Sequence, residues 1–290
     1  AGDHIYKMDY GEMLAEHVAS GADMSIACLD VPIEEAKAFG VMQVDASHRI
    51  IGFEEKPENP APIPGKPGHV LASMGIYVFN PVFLYEQLLR DADDSHSSHD
   101  FGRDIIPHVI RHYRVCAHRF ADSHVGSPGS KPYWRDVGTV DAYWEANIDL
   151  TRVEPDLNLY DENWPIWTYQ SQLPPAKFVF NDDGRRGMAV DSIVSGGCIV
   201  SGANVCRTIM FTNVHVHSYA EVVDSVILPE VSIGRHVRLR KVIVDKGCVL
   251  PEGLEIGFHP EEDAKHYYVT DSGITLVTPQ MLGQDTHFFR

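Results

Sequence analysis

Val231-Ser232-Ile233-Gly234 opens a run in which an aliphatic residue returns at every sixth position, at Val231, Val237, Ile243 and Val249. The same spacing stands upstream at Ile193, Ile199, Val205 and Phe211, where Ile199-Val200-Ser201-Gly202 repeats the small, turn-forming pattern. A six-residue period with one aliphatic position predicts a parallel β-helix, each hexad making one short face of a triangular coil. Such coils stack apolar side chains inward, and their flat faces and ends serve as oligomerisation surfaces.

Acyltransferases carry the same repeat, so it sets an architecture and leaves activity open. From Arg235 to Lys246 the cations Arg235, Arg238, Arg240, Lys241 and Lys246 meet one acid, Asp245, in a chain whose formal net charge is -17. Arg238 and Arg240, two apart on a strand, point to one side. A bound phosphorylated regulator accounts for this cluster, and so does a solvated coil face or a subunit contact. Residues 151–189, with Trp164-Pro165-Ile166 and Leu173-Pro174-Pro175, read as an irregular linker packed by aromatics.

At 290 residues, 44% hydrophobic and 22% charged, the chain has the composition of a soluble protein with one large or two medium domains. Its acidity argues against general nucleic-acid or anionic-membrane binding, so any phosphate site must be local. The cysteines Cys28, Cys116, Cys198, Cys206 and Cys248 form no CxxC pair. They fit reduced thiols in a cytoplasmic protein rather than a disulfide scaffold or zinc site. No stretch reaches the roughly 18 apolar residues of a membrane span, and no basic-then-apolar segment of the signal type is read in these residues. The sixteen histidines lack HExxH or comparable spacing, so a transition-metal centre is not expected.

The first half alternates strands and helices. Ile5, Met8, Leu14 and Val18 suggest a helix over about four turns, ended by Gly21. A buried strand at 24–29 and two strands at 39–45 and 49–53 around a turn follow. Seven Pro and Gly residues between 57 and 68 predict a surface loop. A strand at 71–79, helices at 81–90 and 103–113, a strand at 115–120 and a helix at 140–150 capped by Thr139 complete an α/β layer fold on a mixed sheet with flanking helices. The expected division is 1–150, a 151–189 linker, and 190–290.

Phe53-Glu54-Glu55-Lys56-Pro57 delivers a carboxylate and an ammonium side by side at a strand end. The pair suits a phosphorylated sugar: a carboxylate accepts from vicinal hydroxyls, and lysine is a point charge for phosphate. Pro57 biases Lys56 toward extended backbone. An exposed, mixed-charge strand end meets the same tetrapeptide equally well. Asp3 and Asp136, next to a glycine or at a strand-to-helix junction, are the carboxylates that could converge on Mg²⁺ bridging substrate phosphates, with a cap or solvated turn as the plainer role of each.

Taken in order, Ala1-Gly2-Asp3-His4-Ile5-Tyr6, Phe39-Gly40-Val41-Met42, Glu54-Glu55-Lys56-Pro57, Ala72-Ser73-Met74-Gly75-Ile76-Tyr77 and Tyr133-Trp134-Arg135-Asp136-Val137-Gly138-Thr139, followed by the hexapeptide coil, closely resemble the bacterial glucose-1-phosphate adenylyltransferases. The resemblance implies a partial Rossmann-like nucleotidyltransferase domain before a left-handed β-helix. It implies a homotetrameric, allosteric enzyme of glycogen biosynthesis that makes ADP-glucose and pyrophosphate from ATP and α-glucose 1-phosphate. Asp3 and Asp136 then match the Mg²⁺ ligands, and Gly40, Glu55, Lys56 and Ser73 the glucose 1-phosphate site, with Lys56 on the phosphate and among the catalytic groups.

Two departures from the family pattern qualify these expectations. Neither G-x-G-x-x-G nor G-x-x-x-x-G-K-[ST] occurs, and the family's glycine-rich ATP loop has no counterpart here. This polypeptide alone is therefore expected to be inactive. Glu230 and Lys246 match positions near bound AMP, Lys246 standing where enterobacterial members carry arginine, which loses the bidentate fork. Pro279 and Gly283 stand where those members place arginines for fructose 1,6-bisphosphate, so a different phosphorylated effector or a weak response is expected. A sugar-1-phosphate nucleotidyltransferase of other specificity, and a non-catalytic chain that binds sugar phosphate and assembles through the coil, stay open as alternatives.

Overall fold

A computed structural model describes residues 2–126 and 131–285. Its contacts fall into two compact units, one built from Tyr6–Pro132 and the other from Asp3–Ile5 with the chain from Tyr133 onward. In chain order the elements before the coil are β1 (His4–Tyr6), α1 (Tyr10–Ser20), β2 (Met24–Pro32), β3 (Gly40–Val44), β4 (Ile50–Glu55), β5 (His69–Phe79), α2 (Pro81–Ala92), α3 (Ile106–His112), β6 (Val115–Arg119), β7 (Trp134–Asp136) and α4 (Val140–Asp149).

The first unit carries a mixed sheet in the order β4-β3-β5-β2-β6, in which only β2 and β6 run parallel. The β3–β4 hairpin is set by Asp45, whose carboxylate accepts from the Ser47 and Arg49 amides at 2.8 and 3.1 Å. That local bond offers the backbone a turn in place of a ladder. Met24, Ile26, Leu71, Ile106, Val109 and Val115 bury the face that α3 covers. The first helix is shorter than its apolar spacing suggests. His4–Tyr6 is a strand paired with β7, and Met8 bridges to His124. Asp9 caps α1 by accepting from the Gly11 amide, and Gly21 ends it in the left-handed region at φ 60°. Pairing to chain more than a hundred residues away has claimed the residues that local period assigned to the helix.

In the second unit the coil's parallel strands pair at a spacing of 16 residues upstream, as Ile193 to Ile209, and of 17 between Asn204 and Glu255, as Arg238 to Glu221 and to Glu255. Its inward stack, Val216, Val222, Ile227, Ile233, Leu239, Val244, Leu250 and Ile256, is at most 1% exposed and advances by six, five or six residues. A strict period of six therefore slips by one at each five-residue side, and a one-residue slip in a strand turns the side chain to the other face. Val205, Val231 and Val237 face inward, but Val249 is 54% exposed and Ile199 also lies at the surface. Ile243 and Phe211 point outward and are covered by Tyr143, Trp144 and Ile148 of α4.

The coil also takes in residues that the sequence assigns to a linker. Lys177–Val179 pairs with Ile199–Ser201, and Met188–Val190 with Asn204–Cys206. The hairpin of Asn181–Asp182 and Arg185–Arg186 between them breaks the spacing that would have revealed this first turn. Helix α4, expected with the first domain, is held to the coil by Trp144, whose indole N–H donates to the Asp224 carbonyl at 2.8 Å.

Candidate active site

In the first unit the hairpin places Gly40 opposite Glu55, while Val41 pairs with Ala72 on the other side, so β3 joins the Glu55-Lys56 motif to the Ala72-Ser73 segment. A Cβ on Gly40 would lie 2.6 Å from a ring carbon of Phe53 and 2.9 Å from a Glu55 carboxylate oxygen. One on Gly102 would meet the same Glu55 oxygen at 3.6 Å. The carboxylate thus sits between two glycines beside an aromatic ring, and stays exposed. Lys56 departs from the extended backbone that Pro57 favours: its φ is 49°, and its amide donates to the Phe39 carbonyl at 2.9 Å. That bond extends the β3–β4 ladder one step while the chain swings into the proline-rich loop.

Ser73 is half-buried, and its hydroxyl accepts from the Gly75 amide at 3.2 Å. Gly75 is left-handed at φ 67°, where the β2–β5 register shifts between Ile26 and Cys28. Glycine supplies that conformation without steric cost, and the bulge re-aims the side chains beyond it. Tyr77 beyond the bulge comes close to Ser73, and its ring stacks on Phe101 at 5.7 Å. Burial pushes the Tyr77 phenol up against the lowering influence of the Ser73 hydroxyl, and Cys28 and the carboxylates of Glu55 and Asp100 push it further. Tyr77 and Asp100 lie beside the predicted sugar-facing residues, and the sequence reading did not single them out. Asp100 accepts from the Arg103 amide at 2.9 Å, and this cap just before Gly102 was the available signal.

In the second unit, one donor atom each from Asp3, His4 and Asp136 lie within 4.8 Å of one another. The Val137 amide donates to the Asp3 carbonyl at 2.8 Å, and the Gly138 amide to an Asp136 carboxylate oxygen at 2.8 Å. Gly138 leaves the space the carboxylates use: a Cβ there would lie 3.0 Å from an Asp3 oxygen and 3.1 Å from an Asp136 oxygen. Exposed carboxylates that share a notch fit a hard divalent cation whose other ligands come from water or phosphate.

The four coil residues do not form one cluster. Arg238 is held between Glu255 at 2.9 Å and Glu221 at 3.4 Å and lies over the Phe258 ring, and Arg240 is exposed two residues on. Glu230, at φ 64°, and Lys246 stand at successive corners before Ser232–Ile233 and Val249–Leu250, joined by the bond from the Gly247 amide to the Pro229 carbonyl at 2.9 Å. Gly283 ends the single turn Gln280–Leu282 at φ 69°, a conformation that an arginine would strain.

Residues 1–153 match the nucleotidyl transferase family, and residues 174–277 the family described as GlmU-like, C-terminal hexapeptide. The architecture is accordingly a mixed α/β nucleotidyltransferase domain followed by a left-handed β-helix. The chain is 66% identical over 290 residues to a glucose-1-phosphate adenylyltransferase of Nitrosomonas europaea, with 100% of this chain and 67% of that protein covered. It is 62% identical over 289 residues to the enzyme of that name from Nitrosospira multiformis, covering 100% and 68%. The one from Methylobacillus flagellatus is 63% identical over 290 residues, again covering 100% and 68%. No helix among the described residues is long and apolar enough to cross a membrane.

Proposed function

The chain belongs to the glucose-1-phosphate adenylyltransferase family, and on that premise we propose which residues carry the reaction. The enzyme transfers the adenylyl group of ATP to glucose 1-phosphate, giving ADP-glucose and pyrophosphate. Glu55 accepts from sugar hydroxyls in the gap left by Gly40 and Gly102, and Lys56 balances the charge of the sugar phosphate. Ser73 and Tyr77 complete the sugar-facing polar set. The sugar-phosphate oxygen attacks the α-phosphorus in line, and the new P–O bond forms as the bond to pyrophosphate breaks. No covalent nucleophile is required, so the protein's share is positioning and charge balance. Enzymes of this type use a divalent metal. Asp3 and Asp136 would hold Mg²⁺, which when bound neutralises charge on the phosphates.

The observation that carries this reading is a carboxylate flanked by two glycines, one residue from an exposed lysine at a strand end. Calorimetric titration of the chain with glucose 1-phosphate tests it. Binding that is lost in Lys56→Ala, with free glucose and inorganic phosphate much weaker ligands, supports the assignment. Undiminished affinity in that variant would remove Lys56 from the site.

Regulation and assembly belong to the coil on the same reading. A phosphorylated metabolite or AMP is bound near Glu230 and Lys246. Arg238, already balanced by Glu221 and Glu255, supports the strand ladder, while Arg240 keeps its charge available. With Pro279 and Gly283 in place of arginines, fructose 1,6-bisphosphate activates weakly or not at all. The enzyme works in the cytoplasm as a homotetramer built through its coils; sedimentation of the enzyme at another stoichiometry would overturn that assembly.

A further inference from the structure

We infer that His4 supplies a nitrogen donor to the divalent-cation site of Asp3 and Asp136, so that this site favours manganese and its softer neighbours over magnesium. The inference rests on reading Asp3 and Asp136 as metal ligands. Side chains of neighbouring residues on a strand point to opposite faces. Asp3 lies just before the first strand residue, however, and that bend brings His4 Nε2 to 3.7 Å from an Asp3 carboxylate oxygen. Two ligands about 2.1 Å from a common ion stand roughly 3 to 4 Å apart, depending on their angle. The His4–Asp3 separation therefore already suits a shared ion.

The imidazole is also held for this role. Its ring meets the Trp134 ring edge-on, with centroids 4.8 Å apart and planes at 68°. Trp134 and Asp136 lie on the same short strand, β7, so one element both orients the histidine and delivers the second carboxylate. The His4 side chain is 13% exposed and that of Asp3 51%, which puts the nitrogen on the inner side of the site and the carboxylate on the outer. With Gly138 leaving the notch open, the donor set is two oxygens and one nitrogen. Magnesium takes oxygen ligands almost exclusively and keeps its waters. Imidazole suits the first-row transition ions, whose affinity rises from manganese onward. The missing HExxH spacing hid His4 because its partners come from the next residue and from a strand far along the chain.

Electron paramagnetic resonance of the chain titrated with Mn²⁺, with Mg²⁺ as competitor, provides the test. Bound Mn²⁺ in the wild type is expected to show ¹⁴N modulation from a directly coordinated imidazole in the pulsed spectrum. His4→Phe keeps a ring against Trp134 but removes the nitrogen. It should lose that modulation and about tenfold in Mn²⁺ affinity while Mg²⁺ affinity changes much less. Bound Mn²⁺ without ¹⁴N coupling in the wild type, or an unchanged Mn²⁺ to Mg²⁺ ratio in His4→Phe, would overturn the inference. Asp136→Asn separates it from its premise. If Asp136→Asn abolishes binding and His4→Phe alters nothing, the metal site stands and the histidine role falls. If the wild type binds neither ion, both fall. Equal metal-free melting temperatures identify the variants as folded.

Discussion

Gly40→Ala is the smallest change that reaches the sugar-facing carboxylate. The added Cβ would stand 2.6 and 2.8 Å from two Phe53 ring carbons and 2.9 Å from a Glu55 oxygen, so ring and carboxylate must move. Ordinary contact begins near 3.4 Å, which makes the displacement close to 1 Å. Overpacking of this kind costs about 1–3 kcal/mol of stability. A misplacement of about 1 Å in a positioning group can cost on the order of 100-fold in rate. We expect a melting temperature lowered by several degrees and glucose 1-phosphate affinity lowered about 10- to 100-fold, or roughly 1.4–2.7 kcal/mol. Phe53→Leu added to Gly40→Ala takes away the ring carbons and should restore much of the stability, leaving the affinity loss caused by the Glu55 contact. Calorimetry and thermal melts measure both quantities on the same samples. A single variant that melts and binds like the wild type would refute the claim that Gly40 makes room for Glu55.

Three further changes test other parts of the structure. In the active enzyme, Lys56→Ala should raise the KM for glucose 1-phosphate by about 10- to 100-fold, with the KM for ATP little changed, because a charge-assisted bond of about 1.5–3 kcal/mol is lost on one substrate only; equal losses for both substrates would make the lysine structural. Ile233→Ala removes a fully buried inward side chain and should cost about 2–5 kcal/mol, whereas Val249→Ala, at a surface site, should stay within about 0.5 kcal/mol; urea melts that reverse this order would return the coil to a six-residue register. Burial would raise the Asp30 carboxyl, but Lys66 at 3.0 Å and Arg119 at 2.7 Å outweigh it and hold it below the usual carboxylate range. A depressed folded-state pKa contributes stability above the unfolded value of about 4 and loses it as pH falls through the folded one, so acidification from about pH 5 to 3 should lower the wild-type melting temperature more than that of Asp30→Asn, and parallel slopes would mean the ion pairs contribute nothing.

The parts of the candidate site that could be read from the sequence are those fixed by local chemistry. Gly40 and Glu55 face each other because the Asp45 turn sets a hairpin register, and turn residues are visible in a sequence. Tyr77 reaches Ser73 only because the chain bulges at Gly75, and no spacing rule predicts which glycine in a strand will do so. Asp100 arrives from a turn wound before α3, a segment with neither helical nor strand period. His4 was bypassed because its strand forms by pairing with β7, more than a hundred residues on. Non-local pairing leaves no periodic trace in either partner, and the same cause lengthened the expected first helix at the expense of β1.

The coil shows a different limit, in which a correct architecture came from residues of mixed roles. A period of six found Val205, Val231 and Val237, which fill the interior, and with the same weight Phe211 and Ile243, which lie outside it. Those two are aliphatic or aromatic for a sound reason, since α4 covers their face, burying Ile243 and partly burying Phe211. Burial under a helix and burial inside a coil select the same side chains at the same energy per unit area. Hydrophobicity alone therefore cannot separate an inner face from a covered outer one. The pairing register can, because a 17-residue turn forces one side in three to be short, and each short side inverts the residues that a strict hexad would place in the core.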